Sequence, residues 1–208
     1  LEFRRVLFRS GKTMGGFLLM LVICYLIGSI PCGYLIGKKN NVDIRRYGSG
    51  NIGATNAFRV LGTQVGLLVL FCDALKGFLP VLIVNNIYGP YWGVAAGFAA
   101  LIGHNWSIFL GFRGGRGVAT GAGILIALMP GVVVIAFVVW IIVVLISGYV
   151  SLGSIIAALA VPIIALFLHI PWVYFIFAIP APILVVIRHL PNIRRLKMGT
   201  ENRISFWK

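Results

Sequence analysis

The stretch Val118–Ser147, VATGAGILIALMPGVVVIAFVVWIIVVLIS, decides the fold class. It runs for 30 residues without a charged side chain. As one helix it would be about 45 Å long, against a hydrocarbon core of about 30 Å. Pro130-Gly131 sits inside it, and such a pair breaks a helix. The stretch therefore reads as two membrane segments. The first, Val118–Met129, is short, at about 18 Å.

Outward from it lie further apolar runs at Gly15–Gly37, Gly66–Tyr88, Tyr91–Phe112, Tyr149–Leu168 and Trp172–Ile187. Each is near or above the roughly 20 residues that cross a bilayer. The 208 residues are 60% hydrophobic and 11% charged, less than half the charge of a soluble domain at about 25%. Only four carboxylates, Glu2, Asp43, Asp73 and Glu201, stand against 18 Lys plus Arg. This composition excludes a soluble globule, an acidic metal cage and a disordered chain. The net charge of +14 reads as a basic membrane face, with no nucleic-acid partner.

The basic residues fall between the apolar runs, in clusters around Lys38–Arg59, Arg113–Arg116 and Arg188–Lys208. The positive-inside rule puts all three on the cytoplasmic side. An even number of crossings must then separate the second cluster from the third, and the split at Pro130 supplies it. The expectation is an all-α polytopic protein of about seven membrane segments. Its N-terminus lies outside and its C-terminus in the cytoplasm. Leu1–Ser10, LEFRRVLFRS, reads as the in-frame translation of a sequencing adapter, so residues 1–13 are expected to be a non-native leader. Residues 14–208 then form one membrane domain. Cys24, Cys32 and Cys72 form no CxxC pair and read as small buried hydrophobes. Three histidines in separate segments offer no metal-ligand spacing, and no cofactor is expected.

Three polar blocks carry the chemistry. The first joins Gly28-Ser29-Ile30-Pro31 and Arg45 to Gly48-Ser49-Gly50-Asn51-Ile52-Gly53-Ala54-Thr55-Asn56. Glycines let backbone N–H groups close around an anion, and Arg45 offers a bidentate phosphate partner. The second runs from His104 to Gly114-Gly115-Arg116-Gly117-Val118-Ala119-Thr120, three glycines around an arginine at the start of an apolar helix. A helix N-terminus favours an anion there. The third is Arg188-His189-Leu190-Pro191-Asn192 with Glu201, a basic block that also suits anionic lipid. Asp73 and Lys76 lie three apart inside an apolar run, where ionisable groups mark either a site or a structural ion pair.

Together these blocks resemble the three motifs of the bacterial acyl-phosphate:glycerol-3-phosphate acyltransferases, over essentially all of Met14–Glu201. GSGNIGATN at Gly48–Asn56 is the most specific part. The resemblance implies seven membrane helices and an active site at the cytoplasmic face of the inner membrane. It implies acyl phosphate as donor, glycerol 3-phosphate as acceptor, and functional coupling to the enzyme that makes acyl phosphate. Ser29 and Arg45 match residues essential in the family. The chain departs from the family at Arg116, where Lys is usual, and at Leu190-Pro191 after the motif histidine.

On this reading the Gly48–Asn56 loop holds the donor phosphate. Ser29, Arg45, Arg116, His189 and Asn192 hold glycerol 3-phosphate. Asp73, Lys76, His104, Gly114, Gly115, Gly117, Thr120 and Glu201 complete the substrate site, Glu201 in part structurally. Deprotonation is expected through a substrate phosphate oxygen, with His189 or His104 as the alternative base. A transporter of phosphorylated metabolites and a lipid-binding scaffold remain the readings from other classes. The HxxxxD pattern of soluble-type acyltransferases is absent, since Phe109 and Arg194 stand five residues after His104 and His189.

Overall fold

The computed structural model describes residues 14–204. The leader expected at residues 1–13 lies outside them. Every regular element among the described residues is helical. In chain order these are α1 (Met14–Ser29), α2 (Cys32–Lys39), α3 (Ala54–Leu61), α4 (Thr63–Tyr88), α5 (Pro90–Asn105), α6 (Val118–Leu128), α7 (Pro130–Ser147), α8 (Val150–Phe167), α9 (Phe175–Ala178), α10 (Pro180–Arg188) and α11 (Leu190–Lys197). Short 3-10 turns at Ile44–Arg46, Ile108–Leu110 and Trp172–Tyr174 join some of them.

The long apolar run does break where its proline lies. Helix α6 ends at Leu128, and Pro130 starts α7 at a position where its missing N–H costs nothing. The first run breaks too, at Ile30-Pro31, although its hydropathy reads as continuous. Helices α1 and α2 meet there at a bend of 42°. A second bend, of 54°, separates Trp172–Arg188 from α11. Among the described residues four helices are long and apolar enough to cross a membrane, six spans if each bent pair is one, and α6 is a shorter apolar helix.

Close helix approach sets the frame of the site. Without a hydrophobic drive between spans, small residues let backbones touch. A Cβ on Gly77 of α4 would overlap the carbonyl of Thr120 on α6. One on Gly123 of α6 would overlap the carbonyl of Ala74 on α4. This reciprocal contact fixes the start of α6 beside Asp73. Around it one apolar core runs through α1, α4–α8 and the α9–α10 segment, including a stacked Phe17–Trp92 pair at 3.9 Å.

Candidate active site

A cavity of about 720 Å³ joins the polar blocks to an apolar interior. That volume lies within the range of about 300–1,000 Å³ usual for ligand sites. Its polar end is lined by Ser49, Asn51, Gly53 and Thr55 of the first block and by His104, Arg116 and Gly117 of the second. His189, Asn192 and Glu201 of the third block line it as well, and so does Asp73. Its apolar end runs between α6, α7, α8 and α10.

The first loop is organised by Asn56, which is fully buried. Its Nδ2 donates to the carbonyls of Ile44, Tyr47 and Asn51, and its Oδ1 accepts from the Ser49 N–H at 2.9 Å. A group so fully engaged shapes the loop, and Asn56 does not line the cavity. Gly48 and Gly50 hold the turn at φ of 60° and 68°, and neither lines the cavity. A Cβ on Gly48 would also overlap the Asn56 Oδ1.

Arg45 lies outside the cavity. Its Nε and Nη2 bond the two carboxylate oxygens of Asp43 at 2.9 and 2.7 Å, and the guanidinium sits 4.3 Å from the centre of the Tyr34 ring. The Arg45 hydrogen bond holds the Asp43 carboxyl down at about 2. The same bond raises the Arg45 guanidinium above its ordinary value. Ser29 is fully buried and away from the cavity lining. Its carbonyl accepts from the Ser107 hydroxyl at 2.5 Å. Lys76 is also outside the lining, and its ammonium is engaged twice. It pairs with Asp73 at 2.7 Å and donates to the Ile30 carbonyl at 2.7 Å. The expected i,i+3 pair is therefore present, with Asp73 facing the cavity and Lys76 securing the α1–α2 bend.

The second block is a shaped support for one cation. The Gly114 N–H donates to the Asn105 carbonyl and the Gly115 N–H to the His104 carbonyl, so neither amide is left for a phosphate. The two amides thus shape the loop from within the chain. Gly115 has a packing reason, since a Cβ there would overlap the His104 ring at Nε2. Arg188 closes the loop from the other side, its Nε and Nη2 donating to the carbonyls of Gly115 and Gly114 at 3.0 and 2.9 Å. Arg116 is thereby aimed into the cavity. Burial, together with neighbouring Arg195, pushes its guanidinium down to about 10, so it stays charged at neutral pH.

His104 is buried, with Nδ1 3.1 Å from the Thr120 hydroxyl and 3.9 Å from Asp73. Both partners lie on Nδ1, and the ring also lines the cavity. Thr120 is buried behind it and does not line the cavity. His189 differs. Its Nδ1 lies 2.8 Å from the Val185 carbonyl, which can only accept. The neutral ring therefore carries its proton on Nδ1 and presents Nε2 as a lone pair.

Glu201 gathers the third block. Its Oε1 accepts from Asn192 at 2.6 Å and from Ser151 at 2.8 Å, and its Oε2 accepts from Arg195 at 2.7 Å. Burial would raise this carboxyl, but the three donors outweigh it and hold it below its ordinary value. Asn192 is left with a buried Oδ1 that has no hydrogen-bond partner. The chain past Glu201 then lies along the α7–α8 turn, where the Ile204 N–H donates to the Gly148 carbonyl at 2.8 Å.

Sequence reasoning gave no role to Arg59, which lines the cavity, or to Arg188 as a clamp. Arg59 was findable, because it lies four residues after Thr55 and so shares its helix face. Among the described residues no three His, Cys, Asp or Glu side chains cluster to hold a metal.

A bundle of membrane-length apolar helices with a basic mouth over an apolar interior describes a class, the polytopic membrane proteins with a site for an amphipathic anion, and comparison narrows it. The profile of the glycerol-3-phosphate acyltransferase family matches residues 18–199. Glycerol-3-phosphate acyltransferase 2 of Moorella thermoacetica is 52% identical over 189 residues, 90% of this chain and 97% of that protein. The glycerol-3-phosphate acyltransferase of Geobacter sulfurreducens is 43% identical over the same shares. The crystal structure of PlsY, an integral membrane glycerol 3-phosphate acyltransferase, superposes in its glycerol 3-phosphate form with a TM-score of 0.88 at 40% identity. That likeness covers 91% of this chain and 96% of PlsY. PlsY in its lysophosphatidic acid form gives a TM-score of 0.86. The chain belongs to the glycerol-3-phosphate acyltransferase family, as a multi-pass membrane enzyme.

Proposed function

We propose that the protein moves a fatty acyl group from acyl phosphate to the 1-hydroxyl of sn-glycerol 3-phosphate. The products are 1-acyl-glycerol 3-phosphate and inorganic phosphate, and the reaction opens phospholipid synthesis. The observation that carries this reading is the continuity of one cavity from a cationic mouth into an apolar interior. A mixed anhydride with a long chain needs both.

The hydroxyl oxygen attacks the acyl carbonyl carbon and a new ester C–O bond forms. The C–O bond to phosphate breaks, and phosphate leaves with the electron pair. The hydroxyl proton passes to a phosphate oxygen, and His189 Nε2 is the protein group placed to take it instead. Phosphate is a good leaving group, so positioning and anion neutralisation supply most of the catalysis. The loop at Ser49–Thr55 faces the donor phosphate. Arg116, His189 and Asn192 face glycerol 3-phosphate. Arg45 joins by exchanging Asp43 for a substrate phosphate, and Ser29 joins it in holding glycerol 3-phosphate.

We place the enzyme in the bacterial cytoplasmic membrane with seven crossings, the N-terminus outside and the cavity mouth facing the cytoplasm. The bent pairs α1–α2 and Trp172–Lys197, the four long helices and α6 supply that number of apolar units. Acyl phosphate then arrives from the enzyme that produces it.

The test is phosphate release by protein purified from Met14 onward, given palmitoyl phosphate and glycerol 3-phosphate. Release that requires glycerol 3-phosphate and Arg45, with no turnover of palmitoyl-CoA, is expected. Well-folded protein that moves glycerol 3-phosphate across proteoliposomes without forming product would overturn the reading in favour of transport.

A further inference from the structure

The cavity has a floor as well as a mouth. From Ser151 at the polar rim to Val161, α8 descends ten residues, or about 15 Å. The apolar lining around the lower part of α8 comes from Leu125 of α6, Val133 of α7 and Phe177 of α9, with Val161 of α8 itself. Val161 and Phe177 are buried, at 4% and 1% exposure, while Leu125 and Val133 are half-buried, so the α8–α9 side of the floor is protein core. Phe177 is held there by its neighbours. Its ring packs against Phe98 with centroids 5.0 Å apart, and its edge lies over Gly97 of α5. The walls above are kept open by Gly121, Ala122, Ala136, Ala157 and Ala158, none with more than one side-chain carbon.

We propose that the ring of Leu125, Val133, Val161 and Phe177 gauges the length of the acyl chain, and that Ala157 and Ala158 keep the way down to it open. The proposal rests on the acyl-transfer reading above and names the specificity determinant of that site. The occupant is the straight saturated chain of the donor, because the apolar arm continues directly from the cationic mouth. An extended chain with C–C bonds near 1.5 Å advances about 1.3 Å per carbon, so about 12 carbons fill the arm below the rim. With the carbonyl and its neighbour at the rim, a chain of about 14 carbons meets the floor. Longer chains must bend or leave sideways between helices.

Internal competition reads this directly. The purified enzyme is given an equimolar series of even-numbered acyl phosphates from 8 to 18 carbons with glycerol 3-phosphate, and the products are weighed by mass spectrometry. Product is expected to rise with each methylene up to the floor and no further. Ala158 sits three residues above Val161, about 4.5 Å, or three to four carbons. Ala158→Phe should therefore move the maximum down by three to four carbons and cut 16-carbon relative to 10-carbon product by about 100-fold, the effect of three to four unburied methylenes. Val161→Ala should move the maximum the other way, by one or two carbons, and it decides the matter if Ala158→Phe does not fold. An unchanged product distribution in Val161→Ala, with active enzyme, overturns the gauge and leaves the acyl-transfer reading standing. Absence of acylated product from every chain length in the unaltered enzyme overturns that reading itself, and the gauge with it.

Discussion

Arg188, at the end of α10, holds the carbonyl of Gly115 at 3.0 Å, although 73 residues separate them. The same guanidinium bonds Gly114, while the amides of both glycines are tied to the end of α5. The loop that presents Arg116 is thus fastened from two sides.

Loss of that clamp should misplace Arg116 without removing it. Arg188→Ala is expected to lower kcat/KM for glycerol 3-phosphate, by up to about 100-fold for a displacement near 1 Å. Arg188→Lys should recover little, because an ammonium cannot bridge two carbonyls as a planar fork does. Steady-state kinetics of the two variants check this, and full recovery by Lys would reduce the clamp to a matter of charge.

Arg116 itself should behave differently under conservative change. Arg116→Ala is expected to raise KM for glycerol 3-phosphate about 10- to 100-fold, the loss of a charge-assisted hydrogen bond of about 1.5–3 kcal/mol. Arg116→Lys should keep most of the activity, since an ammonium still neutralises a phosphate. An unaltered KM in Arg116→Ala would remove this residue from the site.

Asn56 offers a test of loop architecture. Asn56→Asp removes the donors facing three carbonyls and places a carboxylate among them. It should destabilise the protein by about 2–4 kcal/mol, and more than Asn56→Ala does. Thermal unfolding in detergent measures the order of the two variants. A milder effect of Asp than of Ala would contradict the assigned hydrogen bonds.

Glu201 gives the pH dependence its sign. Its folded pKa lies below the ordinary glutamate value, so its contribution is complete above the unfolded pKa of about 4.3 and is lost as pH falls through the lower folded value. The wild-type melting temperature should therefore drop more steeply below about pH 4 than that of Glu201→Gln. Parallel melting curves from pH 7 downward for the two proteins provide the comparison.

The α4–α6 contact can be tested by three glycines. Gly77→Ala and Gly123→Ala each press a methyl into a facing carbonyl and should cost about 1–3 kcal/mol. Gly121→Ala meets nothing within 4 Å and should be neutral or stabilising, by up to about 1 kcal/mol. Equal destabilisation by all three would place the sensitivity in glycine content and not in the crossing.

Where local chemistry decides, the sequence was readable. Pro130 splits its run because a proline cannot sit inside a helix without loss of a hydrogen bond, and that holds in any surroundings. Asp73 and Lys76 pair because a helix puts residues three apart on one face. The bend at Pro31 escaped notice because the run around it stays apolar, and hydropathy does not register direction. The family motifs picked out blocks that meet at one cavity, but not the division of labour within it. Asn56, Gly114 and Gly115 read as anion ligands by type, yet each is satisfied by other parts of the chain. Only long-range contacts such as Arg188 to Gly114 separate a group that touches substrate from one that holds it in place.

The bend at Pro31 bears on how the chain is assembled. The carbonyl of Ile30 at that bend accepts twice, from the Cys32 N–H two residues on and from Lys76, 46 residues downstream. Polar backbone left without a partner in lipid is costly. The local donor lets the first apolar run bend with its own residues, and the ammonium of α4 then ties that bend to the second span. The kink is thus set locally and locked from a distance.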